Sequence, residues 1–129
     1  MKLYTYYRSS AAFRARIALN YKGIQYESVP RHLLRQGGEH RQPDYLQANP
    51  QGLVPALEDG GTVFGQSLAI LEYLEEKCPD PPLLPRDPLA RAQVRSMTLG
   101  IACDMHPLQN LRVTDYLTQE LGHDDEVGS

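Results

Sequence analysis

The chain has 129 residues, 41% of them apolar and 22% charged, with a formal charge of −3, a composition that reads as a soluble globular protein with one ordinary domain as the default. The slightly acidic balance argues against nucleic acid as the main partner, and no run approaches the roughly 18 consecutive apolar residues of a membrane helix, so no membrane partner is expected. Cys78 and Cys103 form neither a CxxC pair nor a metal-ligand spacing with the four histidines; no metal is expected, and both thiols are read as buried and inert.

The first ten residues, MKLYTYYRSS, lack the apolar core of a signal peptide, which suggests a reducing, cytoplasmic setting. LYTYY, residues 3–7, is rich in aromatic and β-favouring residues and predicts a strand. Ser9-Ser10 then offers an N-cap. Phe13, Ile17 and Tyr21 recur at i, i+4 and i+8 and mark one face of a helix, which Gly23 closes as a C′ residue. Arg8, Arg14 and Arg16 make a basic cluster in an otherwise acidic chain. IQYESV, residues 24–29, predicts a second strand, ended by Pro30. Residues 31–49 are polar, with Gly37-Gly38 in the middle, and read as a loop carrying a short helix over 43–48.

LVPALED, residues 53–59, predicts a third strand. Pro55 cannot donate to a ladder, so it marks either an ordinary edge or a special bend; a cis Val54-Pro55 bond is one solution, and it would leave the Val54 backbone free to pair with an extended peptide. Asp59-Gly60-Gly61 is a hairpin signal, and residues 62–64 predict the fourth strand. Gln66-Ser67 opens a helix with Leu68, Leu71 and Leu74 along one side, ending in Glu75-Glu76-Lys77. A helix N-terminus with a hydroxyl suits a carboxylate, although a plain N-cap serine explains the same residues, and the same holds for Ser9-Ser10.

CPDPPLLPRDP, residues 78–88, holds five prolines and predicts a stiff linker at a domain boundary, dividing the chain into 1–80 and 81–129. Asp87-Pro88 supplies a cap and a first helical position, and Val94, Met97 and Ile101 are expected to face inward. Pro107 is expected to break this helix, with a second helical stretch over 111–121 and a frayed polar tail. One broken helix cannot cover its own apolar face, so the second part is expected to be incomplete. The fold class is therefore α/β: a mixed four-stranded sheet with helices on both faces, followed by the start of an all-helical domain. In such a sheet ligands sit at strand ends, and Ser9-Ser10, Val54-Pro55 and Gln66-Ser67 can face one cleft.

The Ser-Ser turn, the Val-Pro-Ala-Leu strand and QSLAILEYL together resemble the thioredoxin-like domain of glutathione transferases. YYRSSAAFRARIALNYKG and DMHPLQNLRV are similar, more narrowly, to the zeta class, across residues 1 to about 121. The resemblance implies glutathione as cofactor, a small dicarboxylate substrate, a homodimer, and a cis–trans isomerisation in aromatic amino acid (tyrosine) catabolism that converts maleylacetoacetate to fumarylacetoacetate by thiolate addition, bond rotation and elimination. It leaves open maleylpyruvate or an α-haloacid as substrate, and a glutathione-binding protein without turnover. It assigns thiol activation to Ser9, with Ser10 capping the helix or sharing that role, and substrate carboxylate binding to Arg8. Val54, before Pro55, pairs with the cysteinyl backbone; Gln66 and Ser67 hold the γ-glutamyl carboxylate; His40 reaches the glycyl end. His106, Asn110 and Arg112 line the same cleft. His32 and His123 are left as solvated surface residues, and Tyr6 and Tyr7 as packing aromatics. Where the zeta motif reads Ser-Ser-Cys, this chain has Ser9-Ser10-Ala11, which removes an assisting thiol.

Overall fold

The structure is a computed structural model that describes residues 1–32, 38–109 and 111–120, without the side chains of His106, Gln109, Leu111 and Glu120. It divides into two compact units, Met1–Leu83 and Leu84–Ser129. In the first unit β1 (Lys2–Thr5), α1 (Ser10–Tyr21), β2 (Glu27–Pro30), α2 (Pro43–Ala48), β3 (Ala56–Asp59), β4 (Thr62–Gly65) and α3 (Ser67–Lys77) follow in order. The sheet order is β2-β1-β3-β4. β1 pairs parallel with β2 and antiparallel with β3, and β3 pairs antiparallel with β4. This is the mixed sheet that the element order predicts. Gly60 and Gly61, both at positive φ, make the two-residue turn between Asp59 and Thr62, as a twisted hairpin requires.

Alternation along β1 assigns the two faces. Leu3 is fully buried in a core with Ala15, Ala18, Leu19, Leu57, Ile70 and Leu74, so α1 and α3 cover that face. Tyr4 points the other way and meets the Tyr45 ring of α2 edge-on, centroids 5.3 Å apart. The stripe predicted from Phe13, Ile17 and Tyr21 is not the core face: these side chains are 54%, 50% and 58% exposed, while Ala12, Ala15, Ala18 and Leu19 are buried. Small alanines let the helix backbone approach the sheet and α3 closely, and close packing rewards that fit.

Three predicted strands are trimmed by hydrogen bonds made elsewhere. β1 stops at Thr5 because the Tyr6 carbonyl closes a turn with the Ser9 N–H (3.1 Å). β2 starts late because Ile24 is taken up by the helix end: Ile24 N–H donates to Leu19 O and Gly23 N–H to Asn20 O, a Schellman cap with Gly23 at φ +66. Pro30 ends β2 on a sheet edge, where it is tolerated. β3 begins only at Ala56, since the Leu53 carbonyl is bonded by side chains and Pro55 has no donor. Cys103 is exposed and Cys78 half-buried, both free, which corrects the expectation of two buried thiols. His32 is not simply solvated, since its ring stacks edge-on against the buried Tyr6 at 5.0 Å. His123 and the tail lie outside the described residues.

In the second unit, α4 (Pro88–Leu99) starts at the Asp87 cap, whose carboxylate accepts from Ala90 N–H at 2.9 Å. Its regular hydrogen bonding ends at Leu99, ahead of Pro107; a wide π-helical turn (Gly100–Met105) and a 3-10 turn (His106–Gln109) follow. Proline lacks a donor and crowds the carbonyl four residues back, so the break begins a turn or more before it. α5 (Leu111–Asp115) and a last π-helical turn (Tyr116–Glu120) follow. Met97 and Ile101 are exposed rather than inward, because nothing among the described residues of this unit forms a layer over them. Among the described residues no helix is long and apolar enough to cross a membrane.

One buried charge fastens the end of the first unit. The Lys22 side chain is 0% exposed and its ammonium donates to Glu75 Oε2 (2.9 Å), Cys78 O (2.6 Å) and Pro81 O (2.8 Å). Glu75 Oε2 also accepts from Leu83 N–H at 2.8 Å. Removing one partner of a buried pair strands the other, at about 3–5 kcal/mol. Lys22→Met is therefore expected to lower the unfolding free energy by about that amount in urea titrations, and Lys22→Met/Glu75→Leu to lose less than the sum of the single changes.

At the hairpin, Lys77 and Tyr73 both donate to Asp59. The Lys77 bond, then the Tyr73 bond, holds the Asp59 carboxyl below its ordinary range, and Asp59 raises Lys77. A depressed carboxyl stabilises the fold above its unfolded value and ceases to as pH falls through the folded one. The wild type is expected to lose stability in that acid window, and Asp59→Asn to show a flatter acid limb in unfolding measured against pH.

Candidate functional site

The sheet register sets the site. Tyr4, Ala56 and Gly65 lie side by side in one row across β1, β3 and β4. The residues just beyond that row are the Tyr6–Ser9 turn, Val54-Pro55 and Gln66-Ser67, so these segments leave the sheet at one end.

Ser9 is the N-cap of α1, its backbone extended (φ −78°, ψ 115°), and its Oγ accepts from Ala12 N–H at 3.1 Å. A hydroxyl has one donor and two acceptor sites, so capping leaves the Ser9 O–H available to donate to an anion in front of the helix. Ser10 is the first helical residue and is exposed; the cap belongs to Ser9 and not to Ser10. Ala11 is half-buried in the first turn. Arg8 is exposed, with its guanidinium 5.7 Å from the Tyr7 ring centroid. Tyr6 is buried, while Tyr7 is largely exposed, its ring edge-on against Tyr6 with centroids 4.9 Å apart.

Gln66 is the only non-glycine residue at positive φ among those described, at +68°, a conformation that costs energy and clusters at ligand sites. It caps α3, and its Nε2 donates to Gln51 Oε1 at 3.1 Å. Ser67, buried as the first residue of α3, accepts from Arg14 Nη2 at 3.1 Å. The Arg14 Nε is also buried and has no partner among the described residues. Burial lowers the Arg14 pKa from its ordinary value, yet arginine stays charged. A cation, a hydroxyl and the positive end of an eleven-residue helix thus meet at one point, which suits a carboxylate.

Val54 precedes a cis bond to Pro55 and lies outside the ladder, with no hydrogen bond to its N–H or C=O among the described residues. Those two groups can pair with the backbone of a short extended peptide. His40 is buried in a 3-10 turn, Glu39–Arg41, and its carbonyl abuts Gly52: a Cβ there would lie 3.2 Å from His40 O and 2.8 Å from Leu46 Cδ2, at φ +60°. Only glycine fits that turn. Asn110 lies outside the described residues, as does the His106 side chain; Arg112 is exposed in α5 of the second unit.

Arg14 is the main residue that sequence reasoning left without a role, although it stood in the basic cluster. Tyr45 in α2 and Asn49 and Gln51 just after it gave no signal of their own, being ordinary aromatic and polar residues.

A carboxylate subsite, a hydroxyl donor at a helix start and a free backbone edge together suit a small acidic peptide. Residues 3–82 match the family model described as glutathione S-transferase, N-terminal domain. The chain is 57% identical over 127 residues to a maleylacetoacetate isomerase of Pseudomonas aeruginosa, covering 98% of this chain and 59% of that one. It is 46% identical to a maleylpyruvate isomerase of a Ralstonia species, covering 97% and 58%. Among solved structures, it superposes with TM-score 0.94 and 44% identity on the holo structure of a maleyl pyruvate isomerase described as a bacterial zeta-class glutathione S-transferase, over 99% of this chain and 59% of that one. A maleylacetoacetate isomerase from Methylobacterium extorquens AM1 with bound malonate and glutathione gives 0.92 and 51% over the same shares. The chain spans less than two thirds of the length of these relatives. It belongs to the family of glutathione S-transferase N-terminal domains.

Proposed function

We propose that the protein binds glutathione at the end of the sheet and acts as a zeta-class, glutathione-dependent cis–trans isomerase of a small dicarboxylate, with maleylacetoacetate, the substrate in the name of the Pseudomonas aeruginosa relative, as the favoured substrate. The observation that carries this reading is the meeting of the Ser9 cap, the Val54 edge and the Arg14–Ser67 pair beyond one row of the sheet. Bound glutathione supplies a thiolate that adds reversibly to the activated alkene and so permits rotation about that bond.

The chain's own residues do the rest. The Ser9 O–H donates to the sulfur and, with the start of α1, favours its ionised form. The helix terminus contributes about 0.3–1 kcal/mol and a hydrogen bond to a charged group about 1.5–3 kcal/mol. A free thiol, with a pKa of about 8.5, is mostly protonated at neutral pH, so both effects act in the needed direction. Arg14, Ser67 and Gln66 hold the γ-glutamyl carboxylate, Val54 before Pro55 pairs with the cysteinyl backbone, and His40 serves the glycyl end. Arg8, exposed beside the Ser9 turn, holds a substrate carboxylate, while Ser10 and Ala11 line the first turn beneath it. The zeta-class resemblance also assigns His106, Asn110 and Arg112 to ligand binding. A homodimer in the cytoplasm goes with this reading.

A maleylpyruvate substrate is the second reading, favoured by the TM-score of 0.94 to such an isomerase. The same residues perform both reactions, so relative turnover of the two substrates separates them.

Ser9→Ala is expected to raise the pKa of the bound thiol by about one to two units, since one unit corresponds to 1.36 kcal/mol; ultraviolet absorbance of the thiolate against pH measures it. Arg14→Met is expected to weaken glutathione binding about 10- to 100-fold by calorimetry, with the thiol pKa nearly unmoved. Tight binding with an unshifted thiol in the wild type would favour a binding protein without turnover.

A further inference from the structure

The turn between α2 and β3 contains a polar clamp that the chemistry above does not use. The Tyr45 hydroxyl donates to the Leu53 carbonyl at 2.5 Å, and Asn49 Nδ2 donates to the same oxygen at 2.8 Å and to the Tyr45 hydroxyl at 3.2 Å. Both side chains are buried, Tyr45 at 1% and Asn49 at 5% exposure. The backbone closes around them: Asn49 N–H donates to Tyr45 O at 2.7 Å and Gly52 N–H to Asn49 O at 2.9 Å. The Tyr45 ring is held edge-on by Tyr4, and the Arg31 guanidinium lies 5.5 Å from its centroid.

A peptide unit is rigid and planar. The Leu53 carbonyl and the Val54 N–H belong to one such unit, and because it is trans they point in opposite directions. Two donors on the Leu53 oxygen occupy both of its lone pairs and stop the unit from turning. Its other side, the Val54 N–H, is thereby aimed. We infer that Tyr45 and Asn49 are positioning residues that hold the Val54 N–H in the orientation in which it pairs with the cysteinyl backbone of glutathione. This inference rests on the glutathione-binding reading above. Packing alone does not account for the clamp, because the tyrosine ring would fill the same space without its hydroxyl. Burial keeps the Tyr45 phenol above its ordinary pKa, so it remains a donor throughout the neutral range. Without the clamp only a fraction of molecules present the edge correctly, and apparent affinity falls by that fraction.

The test uses the 129-residue chain and glutathione itself. In the wild type, glutathione is expected to bind with a lowered thiol pKa and to slow hydrogen exchange of the Val54 amide. Tyr45→Phe, which keeps the ring, is expected to raise the glutathione Kd about five- to tenfold, to weaken Val54 protection, and to leave the bound thiol pKa unchanged. Asn49→Asp, which keeps the shape and removes the donor, carries the same expectation if Tyr45→Phe fails to fold. A variant that melts earlier yet binds glutathione with wild-type affinity would overturn the positioning role and leave the function standing. A wild type that does not bind glutathione overturns both, and does so before any variant is made.

Discussion

The row Tyr4–Ala56–Gly65 is the constraint on which the site depends. A strand pairing register is discrete, and a slip of one residue turns every side chain to the other face. With β1 fixed at the centre of the sheet, the chain must leave the row at three neighbouring points, and each exit is built differently. One becomes a helix cap at Ser9, one an unpaired edge at Val54, and one a strained residue at Gln66. None is a site alone. Their placement at one end of the sheet is what the proposed binding of one small acidic peptide depends on.

The polar interactions of the first unit serve that geometry. Lys22 ties the end of α1 to Glu75 of α3 and to the carbonyls of the proline-rich segment, where residues 78–83 leave the sheet unit. Arg14 ties the start of α1 to the start of α3. Both ties join the same two helices, at opposite ends, over an alanine-lined contact. A buried ion pair is weak evidence for net stability. Here its clearer consequence is orientation, since each tie ends on a residue next to a functional segment or a boundary.

Much of this was legible in the sequence, and the parts that were not share a cause. The helix over 43–48, the one closed by Lys77 and the Gly60-Gly61 hairpin follow from local signals: a first-turn proline, a run of leucines, a pair of glycines. That the Ser9, Val54 and Gln66-Ser67 segments leave the sheet at one end followed from topology. The buried face of α1 was misread because alanine carries little hydropathy, so the larger Phe13, Ile17 and Tyr21 dominated the pattern although they are exposed. The Arg14–Ser67 bond, the Gln66–Gln51 bond and the Tyr45–Asn49 clamp join residues 53, 15 and 4 to 8 positions apart, and no local pattern records which partner a side chain meets. The exposure of Cys103 and Met97 follows from what does not cover them, which periodicity cannot see.

The most direct measurement is an experimental structure of the chain with glutathione bound. The expected result has the γ-glutamyl carboxylate on Ser67 and Arg14, the cysteinyl backbone paired with both polar groups of Val54, and the sulfur within hydrogen-bonding distance of Ser9 Oγ. Glutathione seated elsewhere, or bound with its sulfur turned away from Ser9 and its backbone not paired with Val54, would contradict the convergence of these segments on one ligand.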